Sequence, residues 1–346
     1  MSARINFHPN RLTMTPARLP IHFEDQLEVN RWIENLERNA NLRIIGNPFI
    51  MSRASQRRLK DRVMAMYRIS TPRTEKSATN KLIYNFRCSF LTLTLPAKQF
   101  HSDKEIKELA LNQFLIELRQ RYNVSNYVWK AELQANENIH FHIITDRFLN
   151  YHAILRRWNR ILEKLGYIKK FQERMSKLTF KKYVESYKKY KKAPKIGVLM
   201  QRYKNGVANG WNTPNTIDIR VLKNDKDVAV YMAKYVSKNV VDGSKDELSS
   251  EEKLLLERGK EFGRSWFCSR SLSRLETGFS FSISEVKVIF DEICRAKGTK
   301  EFVGDYFKVW YFRYEELSIW TKGFLRGWLL YNADLCSYVV PAGPDV

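Results

Sequence analysis

Cysteine is scarce in this sequence and never paired. Cys88, Cys268, Cys294 and Cys336 are scattered, with no C-x-x-C spacing. That pattern argues against a structural zinc site and against a disulfide framework, and it predicts a reducing cytoplasm. Long apolar runs are also missing. None approaches the ~20 residues that a membrane span needs, so no membrane partner is expected. The first residues lack the apolar core of a secretory leader. No G-x-x-x-x-G-K-[ST] phosphate loop occurs, so the chain brings no ATPase motor of that kind. Acidic residues are in short supply, 37 against 60 Lys and Arg, for a formal charge of +23. Such an excess points to a polyanionic partner, either nucleic acid or an anionic membrane surface.

What is present is a folded chain. Hydrophobic residues make up 44% and charged residues 28%, which excludes a mostly disordered or collagen-like polymer. At 346 residues, roughly two domains of ~150 residues are expected. Residues 1–80 are basic and show no clear β alternation, so a mostly helical lead-in is predicted there, with helices at 24–37 and 54–67. From residue 81 the pattern sharpens. Residues 84–95 alternate apolar and polar side chains, which predicts a strand that Pro96 stops. Ser102 and Glu105 have capping-box spacing, predicting a helix to about residue 121 with Ile106, Leu109 and Leu118 facing the core. Strands follow at 127–134 and 139–145, a helix at 151–165, a strand at 216–222 and a helix at 228–240. The order β-α-β-β-α-β defines an α+β class, a ferredoxin-like or RRM-like antiparallel sheet with helices on one face. Helical additions are expected at both ends, the last of them, 243–346, rich in aromatics. Residues 302–331 carry 11 Phe, Trp or Tyr, which are expected mainly in a core.

Two stretches stand out for chemistry. Residues 156–204 hold 17 Lys or Arg against three acidic residues. With Tyr183, Tyr187, Tyr190 and Tyr203 interleaved, they read as a nucleic-acid surface, set in a basic helical insertion at about 166–212. Its candidate DNA contacts are Lys181, Lys182, Lys188, Lys189, Lys191 and Lys192. The second stretch is His140-Phe141-His142. Strand side chains alternate, so both imidazoles project from one face while Ile139, Phe141 and Ile143 project from the other. Glu132 lies on the preceding strand across a short turn and can reach the same face, with Gln134 sharing its parity. Two histidines and a carboxylate leave positions open on a divalent ion, as catalysis requires. Downstream, Tyr231, Tyr235 and Lys238 stand at i, i+4 and i+7, one stripe of the predicted helix, with Lys234 beside them. A phenol is a poor nucleophile at neutral pH, and it attacks a phosphodiester only where the phosphate is polarised and the phenolate is supported by a nearby cation.

These residues together resemble the HUH endonuclease superfamily, in the branch of rolling-circle replication initiators of single-stranded DNA phages and related plasmids. The first family motif resembles Phe90-Leu91-Thr92-Leu93-Thr94. The second matches His140-Phe141-His142, and the upstream acidic ligand falls on Glu132. The third, Tyr-x-x-x-Tyr-x-x-Lys, matches Tyr231, Tyr235 and Lys238. The segment from Gly263 to Arg270, with Arg264 and Arg270 as candidate DNA contacts, is similar to one found in such initiators. The likeness covers 84–95, 126–146 and 215–240, with a looser match over 263–275. It implies an HUH nicking-joining domain at 81–242 and a Mg²⁺ or Mn²⁺ cofactor. It also implies cleavage of single-stranded origin DNA through a 5′-phosphotyrosine, with Tyr235 as leading nucleophile and Tyr231 as its alternating partner. Host helicase and polymerase, in a bacterial cytoplasm, follow as partners. His142 and Tyr231 are 89 residues apart, longer than a minimal nicking domain, and the basic stretch accounts for the excess. A relaxase carries its tyrosine before the histidines, against the order here. A tyrosine transposase keeps the order in a shorter chain. A non-catalytic single-strand-binding protein leaves the His, Glu and Tyr coincidence unexplained.

Overall fold

The computed structural model describes residues 3–9, 11–16, 53–70, 73–76, 82–86, 88–134, 136–188, 193–222, 227–228, 231, 258–259, 261–275, 279–282, 284–304 and 307–338. It is an α+β protein with two five-stranded antiparallel sheets. In chain order the first elements are β1 (Ala3–His8), β2 (Arg11–Pro16), helix α1 (Arg53–Ile69), β3 (Arg73–Lys76), β4 (Leu82–Phe86) and β5 (Cys88–Leu93). The predicted strand at 84–95 is thus two strands. β4 forms a hairpin with β3, and β5 belongs to a different sheet. Alternation alone could not show where one strand leaves a sheet and the next joins another, because both obey the same period of two.

After β5 comes a helix that runs through Asp103–Glu105, a π-helical segment Ile106–Leu111 and α2 (Asn112–Tyr122). Its start is capped as expected. Ser102 accepts from the Glu105 backbone N–H, and Glu105 accepts from that of Ser102. The π segment changes which residues point inward. Ile106 and Leu118 are buried, but Leu109 is exposed and Ala110 and Leu111 take the core positions. The wider π turn rotates the face past the 3.6-residue register that had placed Leu109 inside.

The next elements are β6 (Tyr127–Leu133), β7 (Ile139–Thr145), α3 (Tyr151–Lys164), α4 (Tyr167–Ser176), α5 (Phe180–Tyr187), α6 (Ile196–Ala208) and β8 (Ile217–Leu222). The strand order β8-β5-β7-β6 is the ferredoxin-like order, and a short strand β9 (Trp266–Cys268) extends the sheet beyond β6. Leu91, Leu93, Trp129, Phe141 and Ile143 line one face and pack on α2 and α3 through Phe114, Leu118, Ile154 and Trp158. The other face is covered as well, which differs from the expected single helical layer. At one end Cys88, Phe90, Val128, Ile144 and Cys268 pack on Leu59, Val63 and Met66 of α1.

The remaining elements are α7 (Arg270–Arg274), β10 (Phe279–Ser282), α8 (Lys287–Arg295), β11 (Lys300–Gly304), β12 (Phe307–Tyr311) and α9 (Ile319–Tyr338). β1 and β2 sit inside the second sheet, in the order β10-β1-β2-β12-β11. So both ends of the chain contribute strands where helical additions were expected, while α1 bears out the helix at 54–67; the helix expected at 24–37 lies outside the described residues. The sheet's apolar side chains, Ile5, Phe7, Leu12 and Trp310, pack on Ile289, Ile293 and Leu325 of α8 and α9. A buried bidentate pair, Arg11 to Asp61 at 2.6 and 2.8 Å, ties β2 to α1. Trp310 and Phe312 are core, as their density suggested, whereas Phe302, Tyr311, Trp320 and Tyr331 are exposed. Among the described residues no helix is long and apolar enough to cross a membrane.

Candidate metal centre

The turn between β6 and β7 sets the site. Asn138 is buried and donates to Ala97 O at 2.8 Å, while its Oδ1 accepts from the Gln99 backbone N–H at 2.9 Å. Gln134 closes the turn through its backbone, its N–H donating to Asn138 O at 2.9 Å. This fixes a register in which Glu132 lies opposite His140, and Lys130 opposite His142. A slip of one residue would send a strand's side chains to the other face. On the far side of β7, His142 is paired with Thr92 of β5, and Thr92 with Asp218 of β8. Asp218, Thr92, His142 and Lys130 therefore form one row across the sheet, with Glu132 and His140 in the next.

The side chains converge as the alternation predicted. The ligand atoms of Glu132, His140 and His142 lie within 4.8 Å of one another. Glu132 Oε2 is 3.5 Å from His140 Nε2 and 3.4 Å from His142 Nε2. The two imidazole rings meet edge to face at 4.5 Å. Thr92 Oγ1 lies 3.1 Å from His142 Nδ1, which orients the ring so that Nε2 faces the carboxylate. His140 Nδ1 is buried with no hydrogen-bond partner among the described residues. Glu132 and His142 are themselves 4% and 2% exposed, so bulk water contributes little to their solvation.

Burial by itself would raise the Glu132 carboxyl. Hydrogen bonds from His140 and His142, together with the Lys130 charge, outweigh it and hold the group well below the usual carboxylate range. Burial pushes the His142 imidazole down to about 4, against the opposing pull of Glu132. At neutral pH the site thus presents a carboxylate and a neutral imidazole, the protonation states that bind a divalent cation. Two imidazole nitrogens and one carboxylate oxygen facing a common point, one ring nitrogen left unpartnered, are a donor set that fits such an ion.

Lys130 was not singled out from the sequence. It is buried, and its Nζ donates to Glu132 Oε1 at 2.9 Å, leaving Oε2 to the histidines. Its only sequence signal was its parity with Glu132, two residues away on the same strand. We expect Lys130→Met to destabilise the metal-free protein by about 3–5 kcal/mol, because it strands a buried carboxylate. Added Mn²⁺ should recover part of that loss by acting as the replacement counter-charge. Urea unfolding with and without the ion measures both effects, and an equal loss in the two conditions would separate Lys130 from the cluster.

Tyr231 lies beside this group. Its ring meets Phe90 at 4.1 Å, and Phe90 stacks on His142 at 5.5 Å. Tyr235, Lys234 and Lys238 lie outside the described residues, as do Lys189, Tyr190, Lys191 and Lys192. Lys181, Lys182 and Lys188 are exposed on and just after α5. Arg264 and Arg270 are exposed at the two ends of β9, next to the strand that carries Glu132. The tyrosines read as a stacking surface are largely packing: Tyr183 is 6% exposed, and with Met175, Leu199, Tyr187, Tyr203 and Trp211 it builds a small core of α4, α5 and α6.

An antiparallel 4-1-3-2 sheet with a Glu-His-His cluster on one face makes this an α+β protein with a donor set compatible with a divalent ion. Residues 88–240 match the family model described as Replication-associated protein ORF2. That span runs from β5 through the tyrosine segment, and the match supports a replication-associated protein. No curated protein and no solved structure matches the chain.

Proposed function

We propose that this chain is a rolling-circle replication initiator, an HUH-type enzyme that nicks and rejoins one DNA strand through a 5′-phosphotyrosine. The observation that carries the reading is the convergence of Glu132, His140 and His142 to within 4.8 Å on the sheet face that Tyr231 approaches. Bound there, Mg²⁺ or Mn²⁺ would polarise the scissile phosphate. Glu132 and the two histidines would hold the ion, with Lys130 and Thr92 orienting them, and the tyrosine segment would supply the nucleophile. The phenol oxygen of Tyr235 attacks phosphorus, the bond from phosphorus to O3′ breaks, and O3′ takes a proton from solvent to leave as a free hydroxyl. The phenolic proton passes to solvent, and Lys238 and Lys234 offset the charge that develops. The 3′-hydroxyl primes synthesis by a host polymerase, with duplex unwinding left to a host helicase. In the joining step a 3′-hydroxyl attacks the phosphotyrosine, the phosphorus–phenol bond breaks, and the tyrosine is regenerated. Tyr231 cuts the regenerated origin, so the two tyrosines alternate.

The test is nicking of a supercoiled plasmid that bears the replicon's own origin. Open circles should form with Mg²⁺ or Mn²⁺ and none with EDTA. Binding of that origin without any metal-dependent nick would leave a non-catalytic DNA-binding protein instead.

A further inference from the structure

The basic helical unit contains a groove that the nicking chemistry does not use. It lies between α4 and α6, has a volume of about 400 Å³, and is lined by Gln172, Glu173, Met175, Ser176, Tyr203 and Trp211. That volume falls in the range of ordinary small-ligand sites. Trp211 is built into it under constraint. Its φ is 55°, in the left-handed region that a bulky side chain seldom adopts. Its N–H donates to Gly206 O at 2.8 Å, which folds the ring back onto α6. Gly206 has no side chain where the ring rests, and a Cβ there would lie 2.2 Å from it. Backbone strain of this kind persists where the surroundings over-determine it, and it concentrates at ligand clamps. The ring meets that of Tyr203 edge to face, their centroids 5.7 Å apart. The indole N–H has no hydrogen-bond partner among the described residues.

The chemistry of the lining selects its ligand. Aromatic faces suit a flat π system. Gln172 Nε2 already donates to Gly210 O at 3.0 Å and Ser176 Oγ to Glu173 O at 3.1 Å, so the oxygens of Gln172, Glu173 and Ser176 are offered mainly as acceptors to the edge of a heterocycle. The helical unit that carries the groove is cationic at its surface: Lys169, Lys177, Lys181, Lys182, Arg202 and Lys204 are all exposed on it. A planar base on a polyanionic strand satisfies both features, and a neutral peptide satisfies only the first.

We propose that this groove captures one nucleobase of single-stranded DNA, stacked on Trp211 with the Tyr203 ring at its edge, while lysines elsewhere on the same helical unit hold the flanking phosphates. The proposal rests on the reading of the chain as an initiator that handles a single strand, and it adds a second binding point outside the metal centre. Glu173, as an acceptor, favours a base with an exocyclic amine over thymine.

The test is equilibrium binding of the full chain to labelled single-stranded oligonucleotides, without metal and over a series of salt concentrations. Trp211→Ala and Gly206→Ala, the latter displacing the ring, should each weaken binding by about tenfold, since stacking on one aromatic is worth that much. The slope of log K against log salt should not change, because every phosphate stays neutralised. Trp211→Phe, which keeps an aromatic face, should recover most of the affinity. Replacing Lys181 and Lys182 with Gln should instead flatten the slope by roughly 0.7 for each phosphate no longer neutralised. An oligonucleotide lacking its bases should bind the native chain and Trp211→Ala equally. Native affinity in Trp211→Ala, or an equal loss on the base-free strand, would overturn the proposal. Nicking of a short origin strand, measured separately, reads the catalytic assignment, so either can fail without the other.

Discussion

Alanine at His140 or His142 is expected to abolish metal-dependent cleavage of single-stranded origin DNA and to leave its binding nearly intact. Each imidazole supplies one of the three protein donors that converge among the described residues, and their common focus is set by the register of β6 on β7. Loss of one donor weakens the hold on the ion and removes the polarisation of the phosphate, a contribution of several kcal/mol. A loss of ~4 kcal/mol in transition-state stabilisation is about a thousandfold in rate. Binding should survive because the affinity of so basic a chain comes largely from counterion release at phosphates remote from the site. His142→Ala also removes the ring on which Phe90 stacks, so a thermal melt must accompany the assay. His140→Ala, at the less buried ring, is the cleaner variant. Calorimetric titration with Mn²⁺ should show weakened uptake in both. Undiminished nicking by the double alanine variant would remove the metal assignment.

Removing the tyrosine hydroxyls should have an equally large effect. The hydroxyl is the nucleophile and the ring is packing, so phenylalanine separates the two. Tyr231→Phe keeps the packing against Phe90, which fixes the position of the ring near His142. We expect Tyr235→Phe to block the first cut and Tyr231→Phe mainly to block the terminating transfer. The double variant should form no adduct at all. In the native protein the adduct should survive SDS, with the 5′-phosphate on a tyrosine of the peptide spanning 231–238. If the two tyrosines prove interchangeable in the first cut, the division of labour fails and the covalent chemistry stands. If the double variant still forms the adduct, the nucleophile lies elsewhere.

The elements legible in advance were those with strong local signals. The strands at 127–133 and 139–145 keep a period of two through Trp129–Leu133 and Ile139–Ile143, and the capping box at Ser102 marks its helix start within one residue. Less legible were the elements whose pattern is shared or interrupted. β4 and β5 run on in one alternation but belong to different sheets. Leu109 satisfies helical spacing, yet a π turn that the sequence does not announce carries it to the surface. β1 and β2 escaped notice because two short strands carry few residues on which to establish a period, and their partners β10 and β12 come from the far end of the chain.

The same division runs through the site. His140 and His142 share a face because any strand puts i and i+2 on one side. Consecutive residues were therefore enough to present two imidazoles together, with Glu132 near them, and enough to give residues 156–204 their basic character. The register that sets Glu132 opposite His140 came from the folded chain, since a hairpin turn of this length admits neighbouring registers and the buried Asn138 hydrogen bonds select one. Lys130 and Thr92 joined the site in the same way, through burial and through a strand that pairs with β7 from the opposite side. Folding also turned Tyr183 from a surface tyrosine into the centre of a small core. Local periodicity is a property of consecutive residues and can be read from them. Burial and cross-strand partnership depend on what the rest of the chain places alongside, and that is settled only when the whole core closes.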